Sequence, residues 1–399
     1  MNNTSEHHLT AADQAPEPVK PLAGLKVLEM GQLLAGPFAG AILAWFGAEV
    51  IKIERPGAGD PLRTWRKMYK GTSLWWLSLG RNKKSITLDL TQPKGQELAR
   101  ELARRADILI ENFKPGTLEK WGLSYAELKA RNPRLILVRV SGYGQTGPYA
   151  SRPGFANVAE AFGGIRYTTG HPDRPPARTG VSLGDSLAGL HAALGALVAL
   201  HHRDAKGTNE GQVVDVAIYE AVFHLMESLL PEYDKLGHVR ERKGTSLEGI
   251  VPTSTYECAD GPYLVIGANG DSIFKRLMRA VERPDLADDP RLARNDGRVP
   301  HEEMIDAAIQ QWTSRHAYET AFRTLDAAGV PCGPVYTAAD IARDPHYAAR
   351  GVWEEADLGG GDTVRIPTVP PKLSATPGGT DWIGPALGQH NPEIYKELL

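Results

Sequence analysis

The chain has 399 residues, of which 42% are hydrophobic and 23% charged, and its net charge is -3 at pH 7. That length calls for two domains rather than one core. The near-neutral balance argues against a global electrostatic draw toward nucleic acid or a membrane surface, so any phosphate-bearing ligand must be held by local cations.

The opening MNNTSEHHLTAADQAPEPVKP is polar, without the apolar core of a secretory signal. Residues 1–20 are expected to form a mobile tail, and a cytoplasmic location is the default. No apolar run reaches the roughly 18 residues of a membrane helix, so no membrane partner is expected. From Leu22 the pattern becomes regular. LKVLEM (25–30) suits a buried parallel strand, AGAILAWFG a helix ending at Gly47, and EVIKIE (49–54) a second strand. Together they form a βαβ unit. SITLDL, QELARELARRA and DILIENF repeat the strand–helix–strand sequence, and SYAELKARN follows as a helix with Ser124 at its N-cap. RLILVRVS is again a strand. Alternating strands and helices predict an α/β doubly wound, Rossmann-like sheet for residues 21–230.

Beyond Gly142 the chain is rich in Gly and Pro as far as Pro176, with a helix expected over 157–162. A long helix is predicted from Ser186 to His202, with Leu187, Leu190, Leu194 and Leu197 as its apolar stripe. QVVDVAI and YEAVFHLMESLL supply another strand and helix. Residues 244–335 read as a smaller α+β domain with a strand at YLVIGA, helices over 273–281 and 304–312, and the turn-rich PCGPVY. Cys258 and Cys332, the two cysteines, make neither a disulfide framework nor a CxxC metal site; they read as small buried residues, and no metal is expected. Residues 336–399 are expected to return to the large domain.

Two short motifs point elsewhere. GYGQTG (142–147) matches the dinucleotide fingerprint after a strand and would suit a nicotinamide-dependent dehydrogenase. Yet Pro148 and Pro153 oppose the helix that must open across the glycines, and no acidic residue ends a second strand about 20 residues on. GVSLG (180–184) matches a nucleophile elbow at Ser182, but Pro-rich polar residues precede it instead of a buried strand. Asp185 stands just before the long helix, where it can act as an N-cap. The same position favours an ionised carboxylate, the form that attacks a carbonyl, and glycines 180, 184 and 189 leave room for a substrate.

Seven segments in order carry a wider resemblance: LAGLKVLEMGQLLAGPFAG, GAEVIKIERPGAGDP, NKKSITLDL, ENFKPGTLEKWGL, NPRLILVRVSGYGQTGPY, RPGFANVAEAFGG and GVSLGDSLAGLHAALGAL. From about Leu22 to Leu399 the chain resembles the family III CoA transferases, which include formyl-CoA, carnitine and dicarboxylate CoA transferases and related acyl-CoA racemases. The resemblance implies transfer of CoA from an acyl-CoA to a free carboxylic acid, through an aspartyl anhydride and an aspartyl-CoA thioester on Asp185. It implies no permanent cofactor, CoA and acyl-CoA being substrates, and an interlocked homodimer. It also implies a CoA site. Leu34 and Ala35 match backbone contacts to the nucleotide half, and Arg55 an arginine beside the adenine and phosphates. Leu88, Asn112 and Phe113 match further contacts, and Arg152, Pro153, Gly154 and Phe155 match the segment along the pantetheine arm. Lys120 replaces an arginine, keeping the charge without the fork.

The departures from the family pattern narrow the substrate. Formyl-CoA transferases carry consecutive glycines where this chain has GTSLEGIVP (244–252), which speaks against formate and oxalate. In the racemase branch a histidine occupies the position of Phe155, and phenylalanine cannot carry a proton; a CoA-dependent 2-methylacyl-CoA racemase is the alternative reading, and a non-catalytic CoA-binding protein a further one. His191 reads as structural. Arg166 and Arg178 are candidates for holding the second carboxylate of a dicarboxylic acid. The donor expected is of the succinyl-CoA type.

Overall fold

The computed structural model describes residues 19–398. The expected tail therefore falls outside the described residues apart from its last two, and Lys20 is already held by Asp381 and the carbonyl of Gly379.

Six strands make one parallel sheet: β1 (Lys26–Glu29), β2 (Glu49–Glu54), β3 (Lys83–Thr87), β4 (Ile108–Glu111), β5 (Ile136–Ser141) and β6 (Val213–Ala217). Their order is β3-β2-β1-β4-β5-β6. This is the doubly wound order, and it reverses between β1 and β4, where such sheets open a crevice at their carboxyl ends. Helices α1 (Ala35–Trp45), α2 (Pro93–Arg105) and α3 (Tyr125–Arg131) alternate with the first five strands. Ser124 caps α3 as expected, closing a reciprocal capping box with Glu127. Leu28, Ile53, Ile86, Leu109 and Leu137 of the strands, with Ala99, Leu102 and Leu128 of the helices, form one continuous core.

The edge strand β3 is not left open. Asn82 N donates to Trp382 O, His390 N to Ser85 O, and Thr87 N to the Asn391 side chain. The C-terminal segment thus satisfies the row of groups that an edge strand exposes.

Helix α4 (Leu183–Ala205) corrects two expectations. It begins three residues early, so Asp185 stands inside its first turn and not ahead of it. Its leucine stripe is also not its packed face. Leu190, Leu194 and Leu197 are 50%, 60% and 37% exposed, while Ala188, Gly189, Ala192, Ala193, Ala196 and Ala199 are buried. Close packing decides this. A Cβ on Gly189 would lie 2.8 Å from Ala35 O, and one on Gly195 would lie 2.6 Å from a Val214 methyl. Only the small-residue face fits that approach. By length and composition α4 is also apolar enough to cross a bilayer, a test that a core helix packed in this way passes as well.

Two compact units emerge. The first comprises residues up to 156, 184–221 and from 352 onward; the second comprises 157–183 and 222–351. The second unit takes in 157–183 and 222–230, which the sequence assigned to the large domain, as well as 336–351, expected to return to it. Its own core gathers Leu264, Ile266, Phe274, Leu277, Ile305, Ile309 and Leu325 on the antiparallel strands β7 (Thr253–Glu257), β8 (Tyr263–Gly267) and β9 (Cys332–Pro334). Helices α5 (Asp271–Ala280), α6 (Glu302–Thr313) and α7 (Tyr318–Ala327) cover them. The single helix expected over YEAVFHLMESLL is two, Ile218–Phe223 and Leu229–Leu236, interrupted where Glu227 takes φ +50°. Cys258 is buried and Cys332 half-buried.

Candidate active site

The carboxyl ends of the strands bring most of the expected residues to one rim of the sheet. Leu34 and Ala35 follow β1, Arg55 follows β2, Leu88 follows β3, and Asn112 and Phe113 follow β4. At the switch point the β1–α1 loop is tied across to β4. Gln32 N donates to Asn112 Oδ1 at 2.8 Å, and Asn112 Nδ2 donates to Gln32 O at 2.8 Å. Asn112 therefore matters first as a brace for the loop.

The side chains of several candidates are committed to packing. Leu34 belongs to a cluster with Leu62, Trp76 and Leu79, and Leu88 to the main core. Phe113 stands edge-on to Trp121 with ring centroids 5.1 Å apart. Arg55 and Lys120 are exposed cations. Lys120 ends a short helix, Thr117–Lys120, whose Glu119 is bound to Arg139 at 2.7 Å.

No helix opens across GYGQTG; residues 142–155 run as a loop, and the next helix starts at Ala156. No strand leads into Ser182. Gly142 and Gly154 touch backbone to backbone, because a Cβ on Gly142 would lie 2.8 Å from Gly154 Cα. The Arg152–Phe155 segment is thereby fixed against the end of β5. Arg152 stacks over the Tyr149 ring at 3.6 Å, Pro153 is exposed, and Phe155 is 71% exposed.

Asp185 occupies the third position of α4, half-buried, at the helix N-terminus, where the helix dipole favours negative charge. One turn on, Gly189 meets Ala35 O and the Phe38 side chain. The start of α4 is thus held beside the start of α1, next to the switch-point loop. His191 Nδ1 lies 2.8 Å from Leu187 O, a contact within the helix. In the second unit Arg166 and Arg178 both approach the buried Glu160, at 3.4 and 3.5 Å. Arg166 also donates to Asn157 Oδ1 at 2.6 Å.

One feature of this rim escaped the sequence reading. Beneath the β1–α1 loop lies a buried chain of charges. Lys52 Nζ is 2.9 Å from Glu29 and 2.9 Å from Asp60, and it donates to Gly31 O at 2.8 Å. Lys83 Nζ is 2.8 Å from the other Glu29 oxygen and donates to Pro37 O at 2.7 Å. Glu54 takes both a bidentate contact from Arg63 and a 2.6 Å bond from Ser85. Burial alone would lower Lys52, but Asp60, Glu29 and Glu54 outweigh it and hold its proton above the usual lysine range. Burial wins at Lys83 and brings it down to about 8, against the pull of Glu29. Burial would raise Asp60, yet Lys52 and two backbone amides keep it below the usual carboxylate range. A signal for this network was in the sequence. Strands of a two-sided parallel sheet should be nearly all apolar, and charges at Glu29, Lys52, Glu54 and Lys83 had to find one another. The register aligns Glu29 with Lys52 and Lys52 with Ser85.

Comparison with known proteins finds relatives along nearly the whole chain. The profile described as CoA-transferase family III matches residues 22–391. A succinyl-CoA–D-citramalate CoA-transferase of Chloroflexus aurantiacus is 54% identical over 387 residues, 96% of this chain and 95% of the relative. A succinate–glutarate CoA-transferase of Agrobacterium fabrum is 34% identical over 96% of this chain and 97% of its own length. Among solved structures, a CAIB/BAIF family protein from Brucella suis superposes with a TM-score of 0.83 at 35% identity, covering 95% of this chain and all of that one.

Proposed function

The chain belongs to CoA-transferase family III, and we propose that it moves CoA from succinyl-CoA to a small dicarboxylic acid through covalent bonds to Asp185. The observation that carries this reading is the placement of Asp185 in the first turn of α4, with Gly189 pressed against the start of α1 at the switch point. A helix N-terminus favours a carboxylate in its charged form, the form that attacks an acyl carbon.

The reaction proceeds in balanced exchanges. A carboxylate oxygen of Asp185 attacks the acyl carbon of the donor, and the C–S bond breaks to release CoA thiolate, leaving a mixed anhydride. The thiolate attacks the Asp185 carbonyl carbon, the donor acid leaves as its carboxylate, and an aspartyl-CoA thioester remains. The acceptor carboxylate attacks that thioester and expels the thiolate to form a second anhydride. The thiolate then takes the acceptor acyl group and frees Asp185. Each step exchanges one activated acyl bond for another, so the energy of the donor thioester is never lost to hydrolysis, which is the gain of covalent catalysis here. Tetrahedral oxyanions are met by backbone N–H groups of the glycine loops. The nucleotide half of CoA lies along the rim formed by Leu34, Ala35, Arg55, Leu88, Asn112 and Phe113, with Lys120 supplying phosphate charge. The pantetheine arm follows Arg152–Phe155.

Dicarboxylate selection is supported by the relatives: D-citramalate and glutarate, the acids named for two of them, each carry a second carboxylate. Arg166 and Arg178, the cations that the sequence offered for that role, are both already paired with the buried Glu160. An interlocked homodimer completes the reading, supported by the exposed leucines of α4.

The test is CoA exchange from succinyl-CoA and acetyl-CoA into a panel of mono-, di- and hydroxydicarboxylic acids. The proposal expects succinyl-CoA with dicarboxylic acids to be fastest. Equal use of monocarboxylates would remove the acceptor assignment. Exchange of α-deuterium into a 2-methylacyl-CoA at rates matching transfer would replace it with racemisation.

A further inference from the structure

We propose that Asp60 and Lys52 are positioning residues for the acyl-CoA site, clamping the β1–α1 loop in a left-handed turn at Leu33. The inference rests on the CoA-transferase reading above, since that loop is where the nucleotide half of CoA is placed.

Leu33 has φ +63°, a conformation that an L residue other than glycine seldom adopts and keeps only when its surroundings hold it. Both sides of the turn are held by one ion pair. The Asp60 carboxylate accepts from Leu33 N at 3.0 and 3.2 Å, and the Lys52 ammonium donates to Gly31 O at 2.8 Å. The two charges are 2.9 Å apart, and both side chains are 1% exposed. Each clamp is anchored in turn. Asp60 accepts from Leu62 N at 2.9 Å, and Asp60 N donates to Glu54 at 2.9 Å; Lys52 rests on Glu29. Neither residue is at a place where it would touch a ligand, because both are sealed beneath the loop. Their effect is to aim the backbone from Gly31 to Ala35.

A residue that serves only stability and one that aims the loop respond differently to relief of the strain. Leu33→Gly removes the steric cost of the left-handed turn but cannot rebuild a buried ion pair. We therefore expect Asp60→Asn to weaken acyl-CoA binding and raise KM about tenfold, with kcat at saturation changed less than threefold. Adding Leu33→Gly should recover most of the binding while leaving the loss of thermal stability in place. Unchanged affinity in folded Asp60→Asn, or no recovery in the double variant, would overturn the proposal. Hydrogen exchange on the unsubstituted protein without CoA gives a second decision that needs no variant: the Leu33 amide should be protected at the level of β1, and rapid exchange there would overturn the clamp. An unsubstituted protein that fails to bind acyl-CoA would instead sink the transferase reading, and the exchange measurement would still decide the clamp.

Discussion

Glu111, the last residue of β4, holds two groups in place through one buried carboxylate. It accepts from Phe113 N at 2.7 Å and from Arg139 Nε at 2.7 Å, and Arg139 passes the contact on to Glu119 beside Lys120. Burial pushes Glu111 up to about 7, although Arg139 and the Phe113 amide pull the other way. The sign follows from proton counts. Between about 4.5 and 7 the folded state binds a proton that the unfolded chain has lost, so stability conferred by protonated Glu111 is full at low pH and is lost as pH rises through 7. Relative to Glu111→Gln, the unsubstituted protein should lose stability across that window, by at most about 1.4 kcal/mol per pH unit. Urea midpoints of both proteins from pH 4.5 to 8 would measure this, and parallel profiles would contradict it. At this scale the sequence was legible where the chemistry is local. The capping role of Ser124 stood out by its place at the head of the SYAELKARN helix, and the structure closes its box with Glu127. Asn112 as a loop brace and Asp60 as a clamp were not legible, because their partners lie 80 and 27 residues away in the chain.

Among the elements, α4 shows what an apolar pattern leaves open. Leucines at 187, 190, 194 and 197 mark a stripe, but the pattern does not say which face packs closely. The alanine and glycine face wins because it lets α4 approach the α1 backbone and the Val214 side chain of β6 closely. Gly189→Ala tests that packing. Its methyl would meet Ala35 O at 2.8 Å and Phe38 Cβ at 2.9 Å, so overpacking should cost about 1–3 kcal/mol, partly offset by roughly 1 kcal/mol of helix propensity. The displacement falls one turn from Asp185, so kcat should drop at least tenfold at temperatures where the variant is folded. A fully active Gly189→Ala with unaltered urea midpoint would contradict the packing account. The strands of the sheet were legible as elements, EVIKIE matching β2 end to end, whereas SITLDL (85–90) overlaps β3 (Lys83–Thr87) by three residues only. The start of α4 was not, since GVSLGD reads as a loop until its first turn is seen to be helical.

For the molecule as a whole, the doubly wound sheet was legible from the alternation of strands and helices, whereas the division of the chain was not. Residues 157–183 and 222–230 join the second unit, although the Gly- and Pro-rich stretch begins earlier, at Gly142, and ends inside that unit. The same large scale holds the question of association. Leu190, Leu194 and Val198 leave 50–60% of their surface uncovered on one side of α4. If that side is part of the proposed dimer, sedimentation should give twice the 43.3 kDa chain mass, and Leu194→Glu should weaken association at least tenfold. A monomer at micromolar concentration would contradict the dimer and leave the fold untouched.

The claim on which the functional reading depends is that Asp185 becomes acylated. Incubation with succinyl-CoA followed by hydroxylamine or borohydride, with peptide mass spectrometry, reads this directly. The account predicts modification of the peptide at Asp185 and nowhere else, together with loss of transfer in Asp185→Asn while CoA affinity stays within a few-fold. Near-normal turnover by Asp185→Asn, or labelling at another carboxylate, would contradict it.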